Sequence, residues 1–382
     1  MGYLNIVRYI FANIQNIFGI FARMVEARGI ETLSVSFTAG VILGAMLSGS
    51  SSMLPCTLLI LIALPCFLRE KLLHLPDAQS LGILLATFLL LGIFCAWNAL
   101  QPGVGLHLQV QDWADGAVSR LRALIDALPF RDPGTPALLK ALLTGDRSGL
   151  SRETVAVFRE SGASHVLALS GLHIGIIYLI FDKLTRVLGR TPAARRIRFG
   201  LIVLGAGFFT LMTGAGTSIV RAFLFITINE TLHLLGRPRK AVRVLCLALM
   251  VQLVLDPGAI REVGFQLSYL AMAGIFLLFP LLEAWYPPSV SWDPMRKIWS
   301  MAALSISCQL FTGPLAWLRF HSFPKYFLLT NLLAIPLTTA LMAVAVTTVA
   351  LGALGWRPAL LITATDGLCR LLVWVLEIIA SM

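Results

Sequence analysis

Charge is what this 382-residue chain has least of. Only 13% of its residues are Asp, Glu, Lys or Arg, against about 25% in an ordinary soluble domain. So few charges cannot dress a water-facing surface. With 58% hydrophobic residues gathered in long apolar runs, the chain reads as an all-α, polytopic transmembrane helical bundle. Cysteine is sparse too. Cys56, Cys66, Cys95, Cys246, Cys308 and Cys369 all lie in apolar runs and none forms a close CxxC pair, which leaves them as small buried hydrophobes rather than a disulfide framework or a thiolate metal site. The chain has no HxHxDH-type cluster and no GxxxxGK[ST] phosphate loop, so neither a metal nor any other cofactor is expected. The first 30 residues lack a signal-peptide core followed by a small-residue cleavage site.

What charge there is leans basic, at +11. In a membrane protein such an excess is first a matter of topology, because cytoplasmic loops collect Lys and Arg; attraction of a polyanion is the second reading. Residues 4–26 place Ile6, Ile10, Ile14, Ile17, Phe18, Phe21 and Val25 at helical spacing, which predicts an N-terminal amphipathic helix in the cytoplasmic interface. Apolar runs follow at 33–48, 53–68 and 81–100, closing an N-terminal segment over 1–110. Trp113, Val118, Leu121, Leu124, Ile125 and Leu128 then suggest an interfacial linker helix within 111–137, outside the cytoplasm. A C-terminal transmembrane region over 138–382 holds runs at 163–181, 199–213, 217–235, 241–255, 263–282, 299–320, 326–354 and 359–380. Counted with the first three, that is about eleven spans on the ~20-residue criterion.

Two basic loops fix the orientation. Arg195, Arg196 and Arg198 stand in 182–198, and Arg237, Arg239 and Lys240 in 236–243; both loops belong in the cytoplasm. That puts the N-terminus inside and 101–160 and 319–325 outside.

Polar residues concentrate in GDRSGLSRETVAVFRESGASHVLALSGLHIG, residues 145–175. Lipid-facing helices have no use for such residues, and polar groups at membrane depth mark functional sites by default. Asp146 and Arg147 either organise a turn or serve a channel mouth. Ser164 and His165 precede the run at 163–181; Ser170, Gly171 and His173 lie within it. His165 and His173 share a face if that helix is continuous, unless Ser170–Gly171 breaks it and exposes backbone donors. Ser218 and Arg221 in TSIVRAF, Gln266 and Ser268 in LDPGAIREVGFQLSYLA, and Asn331 in TNLLAIPL complete the set expected to line a hydrated path. Asn331 and Pro336 mark an irregular helix. Asp366 and Arg370, four apart, read as an intrahelical ion pair. Asp146, His165, Ser170 and His173 supply the residue types of a hydrolytic triad, but the serine lacks a GxSxG elbow, so no enzyme is expected.

These four separated stretches, in this order and spacing, resemble the signature of the ComEC family of bacterial competence proteins over roughly 137–340. The resemblance implies a channel that passes single-stranded DNA inward through the bacterial inner membrane during natural transformation. It also implies partners: membrane lipid, the single-stranded DNA itself, a separate nuclease, a DNA-receptor protein and a cytoplasmic ATP-driven translocase. Larger members carry an oligonucleotide-binding-type β-domain and a C-terminal metallo-hydrolase-like domain. Neither has room here, which makes this a minimal or shortened form. On this reading the basic residues at 195–198 and 237–240 form the cytoplasmic mouth. The alternatives are a transporter of another anionic or amphipathic envelope solute, and a membrane anchor for a DNA-uptake assembly.

Overall fold

The computed structural model describes residues 30–46, 77–98, 110–189, 191–287, 293–321 and 325–382. The helix expected over 4–26 and the apolar run 53–68 lie outside them. Among the described residues the fold is helical throughout, with no strand, as an apolar environment demands of a backbone that must satisfy its own hydrogen bonds.

The chain divides into two compact units. One holds α1 (Ile30–Met46), α2 (Asp77–Asn98) and α10 (Ala241–Leu255). Glycine sets the α1–α2 contact. A Cβ on Gly40 would run into the carbonyl of Leu89, and one on Gly92 into the carbonyl of Phe37, so the two backbones approach as closely as small residues allow. Ser36 Oγ donates across this seam to the Leu85 carbonyl at 2.7 Å. Arg243 on α10 faces Glu31 on α1 at 3.6 Å.

The other unit carries the remaining helices. They are α3 (Val110–Asp126), α4 (Gly134–Thr144), α5 (Arg152–Glu160), the single turn α6 (Ser164–Leu167), α7 (Gly171–Thr185), α8 (Pro192–Met212), α9 (Thr217–Leu234), α11 (Val263–Leu277), α12 (Phe279–Glu283), α13 (Pro294–Phe320), α14 (Phe327–Ala353) and α15 (Ala359–Ala380). Their starts follow local chemistry. Ser151 caps α5 by accepting from Thr154 N–H, Thr191 caps α8 from Ala194 N–H, and Asp293 caps α13 from the N–H groups of Met295 and Arg296. Pro192 and Pro294 then occupy first helical positions, where a missing N–H costs nothing.

Four helical stretches are long and apolar enough to cross a membrane: Val263–Glu283, Pro294–Phe320, Phe327–Ala353 and Ala359–Ala380. Ile30–Gly44, Leu85–Ala96 and Ala241–Leu255 are shorter apolar stretches. The chain is thus an all-helical integral membrane protein. The helices at 171–234 miss the criterion for physical reasons: α7 has only 15 residues, α8 takes three arginines into its first turns, and α9 carries Arg221 and Glu230. Several expectations are corrected here. The run 163–181 is two helices separated by extended backbone at Ala168 and Ser170. Arg195, Arg196 and Arg198 belong to α8 rather than to a loop, because Thr191–Pro192 starts that helix early. Helix α14 continues unbroken through Pro336.

The core of this unit joins α3–α6 to the α14–α15 hairpin. Leu139, Phe158, Leu341, Met342 and Leu372 are fully enclosed there. Three contacts fix how the stretch lies. Leu128 packs where a Cβ on Gly352 would sit, near the end of α14. Arg131 N–H donates to Asp366 in the first half of α15, and the Ser161 carbonyl accepts from Thr330 Oγ1 at the start of α14. Residues 128–161 therefore run from one end of the hairpin to the other. Asp366 accepts the Arg131 N–H at Oδ2 while its Oδ1 is buried without a hydrogen-bond partner, and among the described residues no ion pair joins it to Arg370, contrary to the sequence expectation.

Candidate functional site

The break before α7 is where the sequence-derived candidates meet. Ser170 caps α7, its Oγ accepting from Leu172 N–H at 3.3 Å. His173 reaches back, and its Nδ1 accepts from Ser170 N–H at 3.2 Å and lies 3.1 Å from Ser170 Oγ. This is a capping box with histidine in the place usually taken by Glu or Gln. Because Nδ1 accepts, the ring proton sits on Nε2. That N–H is buried and has no partner among the described residues.

Arg221, one turn into α9, brings its guanidinium to the same helix end. A Cβ on Gly171 would lie 3.1 Å from Arg221 Nη2, so the guanidinium rests close against the backbone of residue 171. Arg221 Nε donates to Ser268 Oγ on α11 at 2.6 Å, and the guanidinium lies 6.0 Å from the centre of the Tyr269 ring. The residue is 6% exposed, and among the described residues no carboxylate pairs with it. Two positive features thus coincide: a fixed guanidinium and the N-terminus of a 15-residue helix, which carries about half a positive charge. An uncompensated pair of this kind attracts phosphate or carboxylate oxygens.

The surroundings hold this geometry. Ser218 Oγ donates to the Gly264 carbonyl at 3.3 Å and Thr217 Oγ1 to Glu262 at 3.0 Å, tying the start of α9 to the start of α11. Gln266 Nε2 donates to the Ile260 carbonyl at 2.7 Å and so braces the entry to α11. Arg147 Nη2 donates to the Leu167 carbonyl at 2.9 Å, clamping the end of α6. Asp146 accepts from both Ser148 Oγ and Ser148 N–H and faces Arg122 at 3.3 Å. The Ser148 hydrogen bonds, seconded by Arg122 and Lys140, hold its carboxyl below the usual range. Asp146 and Arg147 therefore organise the turn that supports the break.

The other candidates stand apart. Ser164 and His165 are exposed on α6, His165 Nδ1 lying 3.2 Å from the Gly162 carbonyl; the break removes the shared face with His173. Asn331 is on α14, its Oδ1 buried without a partner among the described residues. In the basic set, Arg195 and Arg196 are exposed, whereas Arg198 and Arg186 both pair with Asp182. Arg237, Arg239 and Lys240 are exposed after α9.

Two buried acids escaped the sequence reading. Glu230 on α9 is 7% exposed and accepts from Tyr178 on α7 at 2.9 Å; Asp182 is 4% exposed. A lone Glu in the apolar run 217–235 was signal enough to find the first. Tyr269 left no such signal, since an aromatic residue in an apolar helix is ordinary.

Comparison with known proteins places the chain in a family. The chain is 26% identical over 207 residues to ComE operon protein 3 of Bacillus subtilis, covering 54% of this chain and 25% of that protein. It is 27% identical over 257 residues to the uncharacterized protein YcaI of Escherichia coli, covering 65% and 32%. It is 27% identical over 217 residues to Recombination protein 2 of Haemophilus influenzae, covering 54% and 27%. The chain thus spans about a quarter to a third of the length of these relatives. No solved structure matches. The family model described as Competence protein matches residues 142–382, a stretch that takes in the break, Arg221 and the whole α7–α9–α11 junction, and the chain accordingly belongs to the Competence protein family.

Proposed function

We propose that this chain is a conduit for single-stranded DNA in DNA uptake during natural transformation, carrying the strand inward through the bacterial inner membrane. The observation that carries the reading is the guanidinium of Arg221 held against the N-terminus of α7, with no carboxylate paired to it among the described residues. A single strand brings one negative charge per nucleotide. It needs a hydrated route with donors and cations, yet no phosphate trap tight enough to stall it. One fixed arginine with a helix dipole meets that need, since it offers attraction without a multi-arginine cage. The exposed Arg195, Arg196, Arg237 and Arg239 supply a receiving mouth at the end where α8 starts and α9 finishes. In this reading the N-terminus is cytoplasmic, and the chain works with a DNA receptor, a nuclease that degrades the partner strand, and a cytoplasmic ATP-driven translocase. The family membership and the competence and recombination names of the relatives support the assignment.

Hydrolysis is the weaker reading. Ser170 Oγ lies close to His173 Nδ1, but that nitrogen already accepts the Ser170 N–H, and among the described residues no carboxylate orients the imidazole from its other side. The contact serves as a helix cap.

The test is the fate of labelled transforming DNA in cells deleted for the chain and then complemented. Deletion is expected to leave DNA bound outside while the labelled strand fails to reach the cytoplasm. Normal strand entry without the chain would end the proposal. Rescue by a variant lacking the Arg221 charge would point to an anchor instead of a conduit.

A further inference from the structure

The Arg221 guanidinium is held by one edge. Nε donates to Ser268 Oγ on α11 at 2.6 Å. That bond closes the side-on fork of Nε and Nη2, and the fork left to a ligand is the terminal one, Nη1 with Nη2. Among the described residues neither terminal nitrogen has an acceptor, although the residue is only 6% exposed. Donors buried in this way cost free energy until water or a ligand oxygen meets them.

The backbone beside it repeats the pattern. The Ser170 N–H goes to His173 Nδ1, the Leu172 N–H to Ser170 Oγ and the His173 N–H to the Ser170 carbonyl. Between them, the Gly171 N–H has no acceptor among the described residues. Arg221 Nη2 lies 3.1 Å from where a Gly171 Cβ would stand. In a helix the Cα–Cβ bonds tilt toward the N-terminus, and the unpaired N–H groups of the first turn point the same way, so guanidinium and backbone donor open toward one side. We propose that Arg221 Nη2 and the Gly171 N–H grip one phosphodiester of the strand together, and that Ser268 is the positioning residue that turns the terminal edge of the guanidinium toward it. The proposal rests on the reading of the α7–α9–α11 junction as the strand's contact. A fixed edge matters because an arginine has much rotamer freedom to lose on binding, and a bond made beforehand removes that loss.

The test is binding of a fluorescent single-stranded oligonucleotide to the full chain in detergent, read by anisotropy, with melting measured alongside. Ser268→Ala should weaken binding about twofold to tenfold, the worth of one hydrogen bond, and Ser268→Thr, which keeps the hydroxyl, should restore it. In the Arg221→Gln background Ser268→Ala should have no further effect, because the serine acts only through the guanidinium. Gly171→Pro removes the N–H at the first helical position, where proline fits; Ser170, at φ −127° and ψ 171°, already has the extended backbone that a proline asks of its predecessor. Gly171→Ala brings a Cβ to the same place and keeps the N–H, so the proline variant should bind at least about tenfold more weakly than the alanine variant. Unaltered binding by Ser268→Ala, a Ser268→Ala loss that persists at full size without Arg221, or equal binding by the two Gly171 variants would each overturn the proposal and leave the conduit reading standing. A wild type that binds no oligonucleotide would overturn that reading, and the proposal with it. The Ser268 cycle decides the matter by itself if Gly171→Pro fails to fold.

Discussion

Replacing Arg221 by Gln removes the one fixed cation at the α7 N-terminus and leaves the helix dipole in place. A charge-assisted hydrogen bond is worth about 1.5–3 kcal/mol, so uptake of single-stranded DNA at limiting concentration should fall roughly tenfold to a hundredfold. Loss should be partial, because α7 still presents its N-terminal partial charge. Salt dependence gives an independent measure. Each phosphate contact on a single strand contributes about 0.7 to the slope of log affinity against log salt, so the variant's slope between about 50 and 200 mM salt should flatten by about that amount. Arg221→Lys should fall between the two. It keeps the charge but loses both the planar fork and the Nε bond to Ser268, made at 2.6 Å in the wild type. The assay is entry of a fluorescent oligonucleotide into vesicles carrying purified protein, with protein amount and melting matched. Equal rates and equal salt slopes for wild type and Arg221→Gln would refute the reasoning.

Three further outcomes are expected. Ser170→Ala removes the α7 cap, which should cost about 1 kcal/mol and lower the melting temperature of the detergent-solubilised protein; no change would mean His173 alone sets the helix start. The Asp146 carboxyl titrates below its unfolded value of about 3.9. Its contribution is therefore fully present above that pH and is lost as pH falls through the lower folded value. The melting advantage of wild type over Asp146→Asn should stay flat from about pH 8 to 5 and shrink below about pH 4, and an advantage growing in acid would contradict the hydrogen-bond assignment. Gly274→Leu should separate α11 from α13, since even a Cβ there meets the Ser307 carbonyl; membrane-inserted protein should drop, as read by quantitative blotting.

The helices from 217 onward were legible because unbroken apolar runs outlast any competing pattern, and their ends agree with the structure to within a few residues. The break at 168–170 was harder to see. Leu167, Leu169 and Leu172 keep the apolar rhythm across it, and only the Ser–Gly pair hints at a cap. The early start of α8 had a signal, Thr191 followed by Pro192, but the arginines after it read as loop, although Arg stems tolerate helix well. The partner of Asp366 was beyond reach. It is a backbone N–H at Arg131, and backbone donors leave no mark on side-chain spacing. At the candidate site, sequence named Ser170, His173, Ser218, Arg221 and Ser268. It could not say that the Arg221 guanidinium rests against the backbone of Gly171, since that requires knowing what lies opposite.

The path of residues 128–161 along the α14–α15 hairpin bears on how the protein is made. That stretch leaves the ribosome long before its wall exists: Thr330, Met342, Asp366 and Leu372 are translated much later. Until then the stretch lacks the side chains that enclose Leu139 and Phe158, the carboxylate that accepts the Arg131 N–H and the hydroxyl that donates to the Ser161 carbonyl. The α14–α15 hairpin, which follows this stretch in the chain, therefore closes the structure around it.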